Sequence, residues 1–246
     1  MLLAAFAWWQ TRAAHPLLPL RILLDRTRGA SFLAVLISGA GMFGVLLFLT
    51  YYLPLHLGFS PTKTGVAFLP MVGALMVTAQ LGTTVLLPRL GPKAVIPLGF
   101  AIATAGVAWL TGIGVGSSYA SAVLPQLVVI GVGLGLVMPS AMQPATGGVA
   151  AEDAGVASAT VNAMQQVGGS VGTALLDTLA ASAVSDYLSG RDPSGKLVQA
   201  QATIESCTTA FWWSAGFFAA GALITLALHR RGVPGQDAEA APVVHM

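Results

Sequence analysis

The stretch AGVASATVNAMQQVGGSVGTALLDTLAASAVS, residues Ala154 to Ser185, is long and apolar enough to cross a membrane as one helix. At about 100° per residue, its polar and small side chains fall within an arc of roughly 120°. The opposite side of this helix is almost purely apolar. The pattern predicts a membrane helix with one line facing water or protein. The line consists of Ser158, Asn162, Gln166, Gly169, Ser170, Thr173 and Asp177.

The whole chain has the composition of a membrane protein. Of its 246 residues, 55% are hydrophobic and 8% are charged, and the mean hydropathy is +0.79. About a quarter of the residues of a soluble domain are charged, so the composition excludes that class. The apolar runs are continuous and about twice as long as the alternating strands of a membrane barrel, which favours helices.

Six apolar runs reach the ~20 helical residues that cross a hydrocarbon core about 30 Å thick. We therefore predict an all-α, polytopic membrane helix bundle with a six-helix domain over residues 31–231. Proline, glycine and most charges fall between the runs, as expected of connecting loops. The predicted spans one to six are Ser31–Leu53, Thr64–Leu87, Ala94–Val115, Tyr119–Met142, Ala154–Ser185 and Thr208–His229.

The lysines and arginines predict the orientation. Eight lie on one side of the predicted spans and three on the other. Positive residues accumulate in short cytoplasmic loops, so the eight-charge side and the C-terminus are predicted to face the cytoplasm of a plasma-membrane protein. Orientation in the membrane and contact with lipid headgroups account for these charges, so they do not indicate a nucleic-acid partner. The eight are Arg12, Arg21, Arg26, Arg28, Arg89, Lys93, Arg230 and Arg231; the three are Lys63, Arg191 and Lys196.

Both ends of the chain differ from the predicted bundle. The run Met1–Trp9 is apolar but only nine residues long and lacks the basic start of a signal peptide, which is the alternative interpretation. We interpret residues 1–30 as the end of a preceding helix followed by a basic cytoplasmic loop. The small and polar residues of 232–246 predict a disordered cytoplasmic tail.

The sequence offers little material for an enzyme, a metal site or a bound cofactor. Cys207 is the single cysteine, and no pair among the four histidines has the spacing of metal ligands. Nothing matches a nucleotide-binding loop or a catalytic triad. We predict neither catalysis nor a cofactor.

Asp177 is the only acidic residue inside a predicted span. A charged Asp at the centre of a membrane helix costs about 2.5–3.5 kcal/mol on insertion scales, so such residues usually face a cavity or a partner. Asp177 is thus a candidate proton carrier, whose pKa a dry cavity would raise and a cation would lower. The alternative is a hydrated residue near the outer membrane interface.

Other polar residues of the spans are candidates for contact with a substrate. Asn162, Gln165 and Gln166, with Ser170 and Thr173, lie on span five, and their alternative role is hydrogen bonding between helices. For Gln126, a lone amide in span four, bonding between helices is the favoured role. Buried amides of this kind serve either purpose.

Span one adds a surface of methionine and aromatic residues: Met42, Phe43, Phe48, Tyr51 and Tyr52. Such a surface could hold a lipophilic cation by cation–π contact, or it could serve packing and the interfacial aromatic belt. Two pairs of glycines four residues apart, Gly131 with Gly135 and Gly168 with Gly172, predict close helix packing. Whether those helices also slide stays open.

Four segments carry a resemblance to a known family. They are HPLLPLRIL (His15–Leu23), YYLPLHLGFSPTKTGVAFLP (Tyr51–Pro70), GVGLGLVMPS (Gly131–Ser140) and AGVASATVNAMQQVGGSVGTALL (Ala154–Leu176). Together they resemble the C-terminal half of major facilitator superfamily transporters, most closely the fourteen-helix drug/proton antiporters. The resemblance covers Ala4–Arg231.

The segment TTVLLPRLGPK (Thr83–Lys93) is similar to the charged loop motif of this superfamily. Arg89, Gly91 and Lys93 match the motif. Pro88 and Pro92 replace its acidic residue and one basic residue, and Asp177 stands where the family usually has a small residue. The prediction that Asp177 carries protons therefore rests on its position inside span five and not on the family resemblance.

The resemblance implies two three-helix units, with spans one, two, four and five lining a central cavity and two halves rocking about it. It implies proton-coupled efflux of drugs or other lipophilic molecules, with the bilayer, substrate and protons as partners. Because such a transporter is about twice as long, an N-terminal half or a second copy is the expected partner. The alternative is a truncated, non-transporting membrane protein acting through helix–helix interaction.

Overall fold

A computed structural model of the chain describes residues 25–147, 149, 153–191 and 195–229. These residues form helices without any strand, and six helical spans are long and apolar enough to cross a membrane. The predicted fold class is confirmed. The predictions for residues 1–24 and 230–246 lie outside the described residues. Spans one to six are Arg26–Leu57, Pro61–Leu90, Pro92–Leu110, Tyr119–Thr146, Ala154–Leu188 and Lys196–Leu228.

Two of the spans are built from shorter helices. Span two consists of Pro61–Ala67 and Leu69–Leu81, a π-helical turn over Gly82–Leu86, and Leu87–Leu90. Span four consists of Tyr119–Ala122 and Leu124–Thr146. Each break sits next to a proline at the start of the following helix or at a glycine packed on a neighbouring span.

Capping residues determine where spans one and two, which form the first helical hairpin, begin and end. Span one begins at Arg26 rather than the predicted Ser31, because the Asp25 carboxylate accepts a 2.9 Å hydrogen bond from the backbone N–H of Arg28. At its other end Gly58 adopts the left-handed conformation (φ 63°), which ends the helix. Two residues after Gly58, Ser60 caps the N-terminal end of span two. The two spans are therefore joined by a tight turn.

The connection between spans two and three is a single residue, Gly91, with φ 72° and ψ 166°. This conformation favours glycine, and Pro92 follows as the first residue of span three. The predicted loop motif is thus a sharp corner. Arg89 lies exposed at the end of span two and Lys93 lies in the first turn of span three.

Span six differs most from its predicted bounds. It begins at Lys196 instead of Thr208, because the polar segment before the apolar run continues the same helix. Span three ends earlier than predicted, at Leu110 rather than Val115. The number of apolar residues needed to cross the membrane therefore predicts the apolar part of each helix but not its polar extension beyond the membrane.

Spans one and four form the centre of the bundle. Span one packs against spans four, five and six, and span four packs against spans one, two and three. The contact between spans one and five is matched by an equally extensive contact between spans four and two. The first three spans and the last three therefore pack in corresponding ways.

The predicted packing glycines lie at these two matched contacts. A Cβ atom on Gly131 would collide with the Met71 carbonyl oxygen of span two, and one on Gly135 would lie 2.5 Å from the Leu75 carbonyl oxygen. Such distances leave no room for a side chain. The close approach of spans four and two therefore depends on glycine at both positions.

Span five approaches span one in the same manner. A Cβ atom on Gly168 would collide with the Leu36 carbonyl oxygen, and one on Gly172 would lie 2.5 Å from the Ala40 Cα atom. From the other side, a Cβ atom on Gly39 would lie 2.6 Å from the carbonyl oxygen of Gln165. These contacts hold the two helices backbone to backbone at their crossing.

Candidate functional site

A cavity of about 540 Å³ lies between spans one and five. Span one supplies an aromatic and aliphatic wall, and span five supplies a mainly polar wall. The residues that line this cavity all belong to spans one and five. The lining residues are Phe43, Leu47, Tyr51, Gln166, Gly169, Ser170, Thr173, Ala174 and Asp177.

The base of the cavity is formed by Phe43 and Gly169. A Cβ atom on Gly169 would lie 3.0 Å from Phe43 Cδ2 and 3.2 Å from its Cγ and Cε2 atoms, so the ring fits against the bare backbone. Phe43 is nevertheless 40% exposed and presents the rest of its ring to the cavity. A larger residue at position 169 would displace the ring into the space that a ligand needs.

The structure brings together five members of the predicted line: Gln166, Gly169, Ser170, Thr173 and Asp177. The Ser170 hydroxyl donates a 3.1 Å hydrogen bond to the Val167 carbonyl within its own helix, and its oxygen can still accept. The Gln166 amide and the Asp177 carboxylate are exposed. The cavity thus combines donors, acceptors and one acid with an aromatic wall, which suits an amphipathic ligand.

Three candidate amides lie outside the lining of this cavity. Asn162 is exposed on the same face of span five, one turn closer to its N-terminal end. Gln165 is half-buried beside the crossing with span one. Gln126 is only 3% exposed inside the bundle, and its Oε1 has no hydrogen-bond partner among the described residues.

Asp177 lies farther from the end of its helix than the predicted boundary implied. Span five continues past Ser185 to Leu188, which places Asp177 eleven residues, or about 16 Å, from the helix end. The 35-residue helix is about 52 Å long and so exceeds a hydrocarbon core of about 30 Å.

Sequence reasoning missed two lining residues, Leu47 and Ala174. Leu47 follows Phe43 by four residues and precedes Tyr51 by four, so the three share one face of span one. Ala174 follows Ser170 by the same spacing on span five. The helical repeat could have found both once Phe43 and Ser170 were chosen.

At the opposite end of span one, polar contacts tie it to span six. Arg26 donates a 2.8 Å hydrogen bond from Nη2 to the Ala227 carbonyl. Ser31 Oγ and His229 Nε2 lie 3.3 Å apart, and His229 Nδ1 lies 3.1 Å from the Thr225 carbonyl. These contacts join the first span to the last.

The position of His229 changes its acidity. Burial lowers the pKa of His229 below its usual 6.5, partly opposed by the bond to the Thr225 carbonyl and reinforced by the charge of Lys93. The loop motif is therefore electrostatically linked to the end of span six through Lys93. Arg89 is exposed on the same side of the bundle.

Six apolar spans, close glycine-mediated crossings and a polar cavity between two spans define a polytopic membrane protein with the architecture of a transporter unit. The profile of the Major Facilitator Superfamily matches residues 4–173. The chain belongs to this superfamily. Since this is a family of transporters, the prediction that the chain is not an enzyme is confirmed.

Relatives with known roles support the same assignment. The chain is 40% identical over 220 residues to the puromycin resistance protein pur8 of Streptomyces alboniger, covering 88% of this chain and 43% of that protein. It is 32% identical over 189 residues to the tetracenomycin C resistance and export protein of Streptomyces glaucescens, covering 74% and 34%. The chain thus spans less than half the length of these relatives.

A solved structure shows the same fold. A bacterial homologue of the human drug peptide transporters PepT1 and PepT2 superposes with a TM-score of 0.59 at 19% identity. The match covers 79% of this chain and 41% of that one. At this identity the similarity extends to the fold alone.

Proposed function

We propose that this chain is the C-terminal half of a proton-coupled secondary transporter that exports drugs or other lipophilic small molecules across the plasma membrane. The observation that carries the proposal is the cavity in which Gln166, Ser170, Thr173 and Asp177 face the aromatic wall of span one. A site of this kind binds the apolar body of a ligand on one side and its polar group on the other.

The cavity supplies one wall of a transport site. Its lining comes from spans one and five only, and its polar face is exposed in this six-span unit. A second helical unit would close it, either an N-terminal half or a second copy of the chain. The coverage of 43% of the puromycin resistance protein favours the N-terminal half.

The names of the relatives suggest where to look for a substrate. Two relatives are named for puromycin resistance and for tetracenomycin C resistance and export. From the lining of the cavity we propose a substrate that combines an aromatic part with polar groups and an amine. Phe43 and Tyr51 would stack on the aromatic part, while Gln166 and Ser170 would bond the polar groups. Asp177 would bind either the amine or the coupling proton.

An accumulation assay tests this proposal. Cells that produce this chain, together with any other segment that its gene encodes, should export puromycin and so accumulate less of it than cells without the protein. Gln166→Leu should reduce this export. Gln143→Leu makes the same change at an exposed position of span four away from the cavity, and it should export normally. Equal accumulation with and without the protein would favour the non-transporting alternative.

A further inference from the structure

Two cavities lie one after the other on the side of the bundle where spans one, five and six meet. One, of about 350 Å³, lies at the Arg26 end, and the other, of about 200 Å³, lies deeper along the same three helices. On span one, Leu33 lines the first cavity and Ile37, one turn further, lines the second. On span five, Met164 and Gly168 repeat this order. The two cavities therefore form one furrow along the same helix faces.

The furrow is separate from the proposed transport site, because none of the described residues lines both the furrow and the polar cavity. Its lining on span one extends from Arg26 to Ala40, which is fourteen residues or about 21 Å. One leaflet of a hydrocarbon core is about 15 Å deep. The furrow is therefore long enough to extend from the lipid headgroups to the middle of the bilayer.

The deeper cavity is apolar throughout. Its lining side chains are hydrocarbon, and Gly168 and Gly172 give it depth because they lack a Cβ atom. Val171, which also lines it, is 61% exposed. Inside a membrane an open apolar furrow is in contact with lipid, and a linear acyl chain matches its shape and chemistry.

The cavity at the Arg26 end is lined by one positive and one negative side chain, both exposed. Arg26 donates a 2.8 Å hydrogen bond from Nη2 to the Ala227 carbonyl, which leaves other guanidinium N–H donors available. Asp25 Oδ1 accepts a 2.9 Å hydrogen bond from the backbone N–H of Arg28, which leaves Oδ2 available. The two charges cancel, so the lining favours a ligand that carries both a negative and a positive group.

The headgroup of phosphatidylethanolamine carries these two groups next to each other. Its phosphate is an acceptor for the Arg26 guanidinium, and its primary ammonium is a donor for the Asp25 carboxylate. The rest of the lining suits the apolar part of a lipid, since it consists of Phe32, Leu33, Met164 and Leu228 with two small residues, Gly29 and Ala30. Phosphatidylcholine offers no N–H donor, and phosphatidylglycerol offers no positive group.

We propose that the furrow binds one molecule of phosphatidylethanolamine from the leaflet at the Arg26 end. Its phosphate contacts Arg26, its ammonium group contacts Asp25, and one acyl chain follows the furrow to Ala40. Residues of spans one, five and six all touch this lipid, so it fills the junction between the first span and the last two. The site does not depend on the transported substrate.

Native mass spectrometry of the full-length protein in a mild detergent tests this site. The probes are three dioleoyl lipids that differ in the headgroup: phosphatidylethanolamine, phosphatidylcholine and phosphatidylglycerol. The protein should retain phosphatidylethanolamine about two- to fivefold better than phosphatidylcholine, as expected for one exposed charge contact. Phosphatidylglycerol, which has no positive group for Asp25, should also be retained less well.

Two substitutions in the headgroup region separate the two charge contacts. Asp25→Asn keeps a side chain that caps the helix but leaves the lining with one positive charge. It should remove the preference for phosphatidylethanolamine and raise the retention of phosphatidylglycerol above it. Arg26→Gln removes the phosphate contact, so it should lower the retention of all three lipids about fivefold.

A third substitution tests the acyl-chain contact. Val171→Trp places a large side chain in the deeper cavity, so it should lower the retention of all three lipids and leave their order unchanged. If this variant fails to fold, dihexanoyl phosphatidylethanolamine replaces it as a probe of the unmodified protein. Its short chains do not reach the deeper cavity, so it should be retained less well than the dioleoyl lipid.

Matched variants away from the furrow serve as controls. Asp186→Asn and Arg191→Gln remove exposed charges at the opposite end of the bundle, and Arg191 resembles Arg26 in donating to a backbone carbonyl. Val77→Trp enlarges a residue of span two that is 62% exposed. All three variants should retain the lipids in the same amounts and order as the unmodified protein.

Several outcomes would overturn the proposal. Equal retention of phosphatidylethanolamine and phosphatidylcholine, or an unchanged preference in Asp25→Asn, would remove the ammonium contact. Unchanged retention in Arg26→Gln would remove the phosphate contact, and unchanged retention in a folded Val171→Trp, or equal retention of the dihexanoyl lipid, would remove the acyl-chain contact. Displacement of the lipid by soluble phosphoethanolamine at equal concentration would show a site for a small zwitterion instead of a lipid.

Discussion

The ring of Phe43 lies against the backbone of Gly169, with ring carbons 3.0–3.2 Å from the point where a Cβ atom would stand. This contact joins spans one and five at the base of the polar cavity. The width of the cavity therefore depends on the absence of a side chain at position 169. Packing and the candidate site share the same residue pair.

A larger residue at position 169 should narrow the cavity through Phe43. We expect Gly169→Val to reduce export strongly, because the new side chain forces the ring out of its place. Phe43→Ala in the same chain should restore part of the export, since it removes the clash. The double-mutant comparison of ethidium export measures the coupling, and strictly additive losses would argue against the contact as its cause.

The glycines at the crossing of spans one and five should be needed for stability. Gly168→Ala should destabilise the protein by about 1–3 kcal/mol, because its Cβ atom meets the Leu36 carbonyl oxygen. Gly216→Ala is the control, since Gly216 lies in span six with nothing within 4 Å of its Cβ position. It should be neutral or stabilising by up to about 1 kcal/mol. Thermal unfolding in detergent compares the two, and equal effects would contradict the packing account.

Stability should fall in mild acid because of His229. Burial lowers its pKa in the folded protein below the usual 6.5, so below that value the unfolded chain binds more protons. The contribution of neutral His229 is therefore present above about pH 6.5 and is lost as the pH falls through the lowered folded pKa. His229→Gln should flatten this part of the curve of unfolding temperature against pH. An unchanged curve would assign the acid sensitivity to other groups.

The orientation prediction can be tested by labelling. Ser60 is exposed in the turn between spans one and two, and Arg89 is exposed at the other end of span two. A membrane-impermeant maleimide added to intact cells should label Ser60→Cys, and it should label Arg89→Cys only after permeabilisation. The native Cys207 is buried and should contribute little background. The reverse pattern would place the C-terminus outside.

The sequence predicted the six spans well because each requires a long apolar run, and hydrocarbon thickness sets that length. It predicted the ends poorly. Span six extends back to Lys196 because a helix can continue into water with polar residues, which hydropathy does not detect. The π-helical turn at Gly82–Leu86 was also missed, since it depends on packing against span four rather than on composition.

The sequence predicted the polar face of span five but not the helix that packs beside it. Helical periodicity placed Gln166, Ser170, Thr173 and Asp177 on one line, and the structure brings these four to one cavity. It could not say which span faces that line, because helix pairing depends on the glycine contacts with span one. Helical periodicity also could not distinguish Gln126, which is buried in the bundle, from the amides of span five, because its burial depends on tertiary packing.

The most direct test of the central claim is proton-dependent uptake of ethidium into inverted membrane vesicles that contain the protein with all segments its gene encodes. We expect uptake to require a proton gradient and to fall about three- to tenfold in Gln166→Leu, the loss of about one hydrogen bond. Asp177→Asn should abolish the dependence on the gradient, whereas Asp186→Asn, an exposed change farther along span five, should not. Uptake that keeps its rate and its gradient dependence in both cavity variants would contradict the claim that this cavity carries transport.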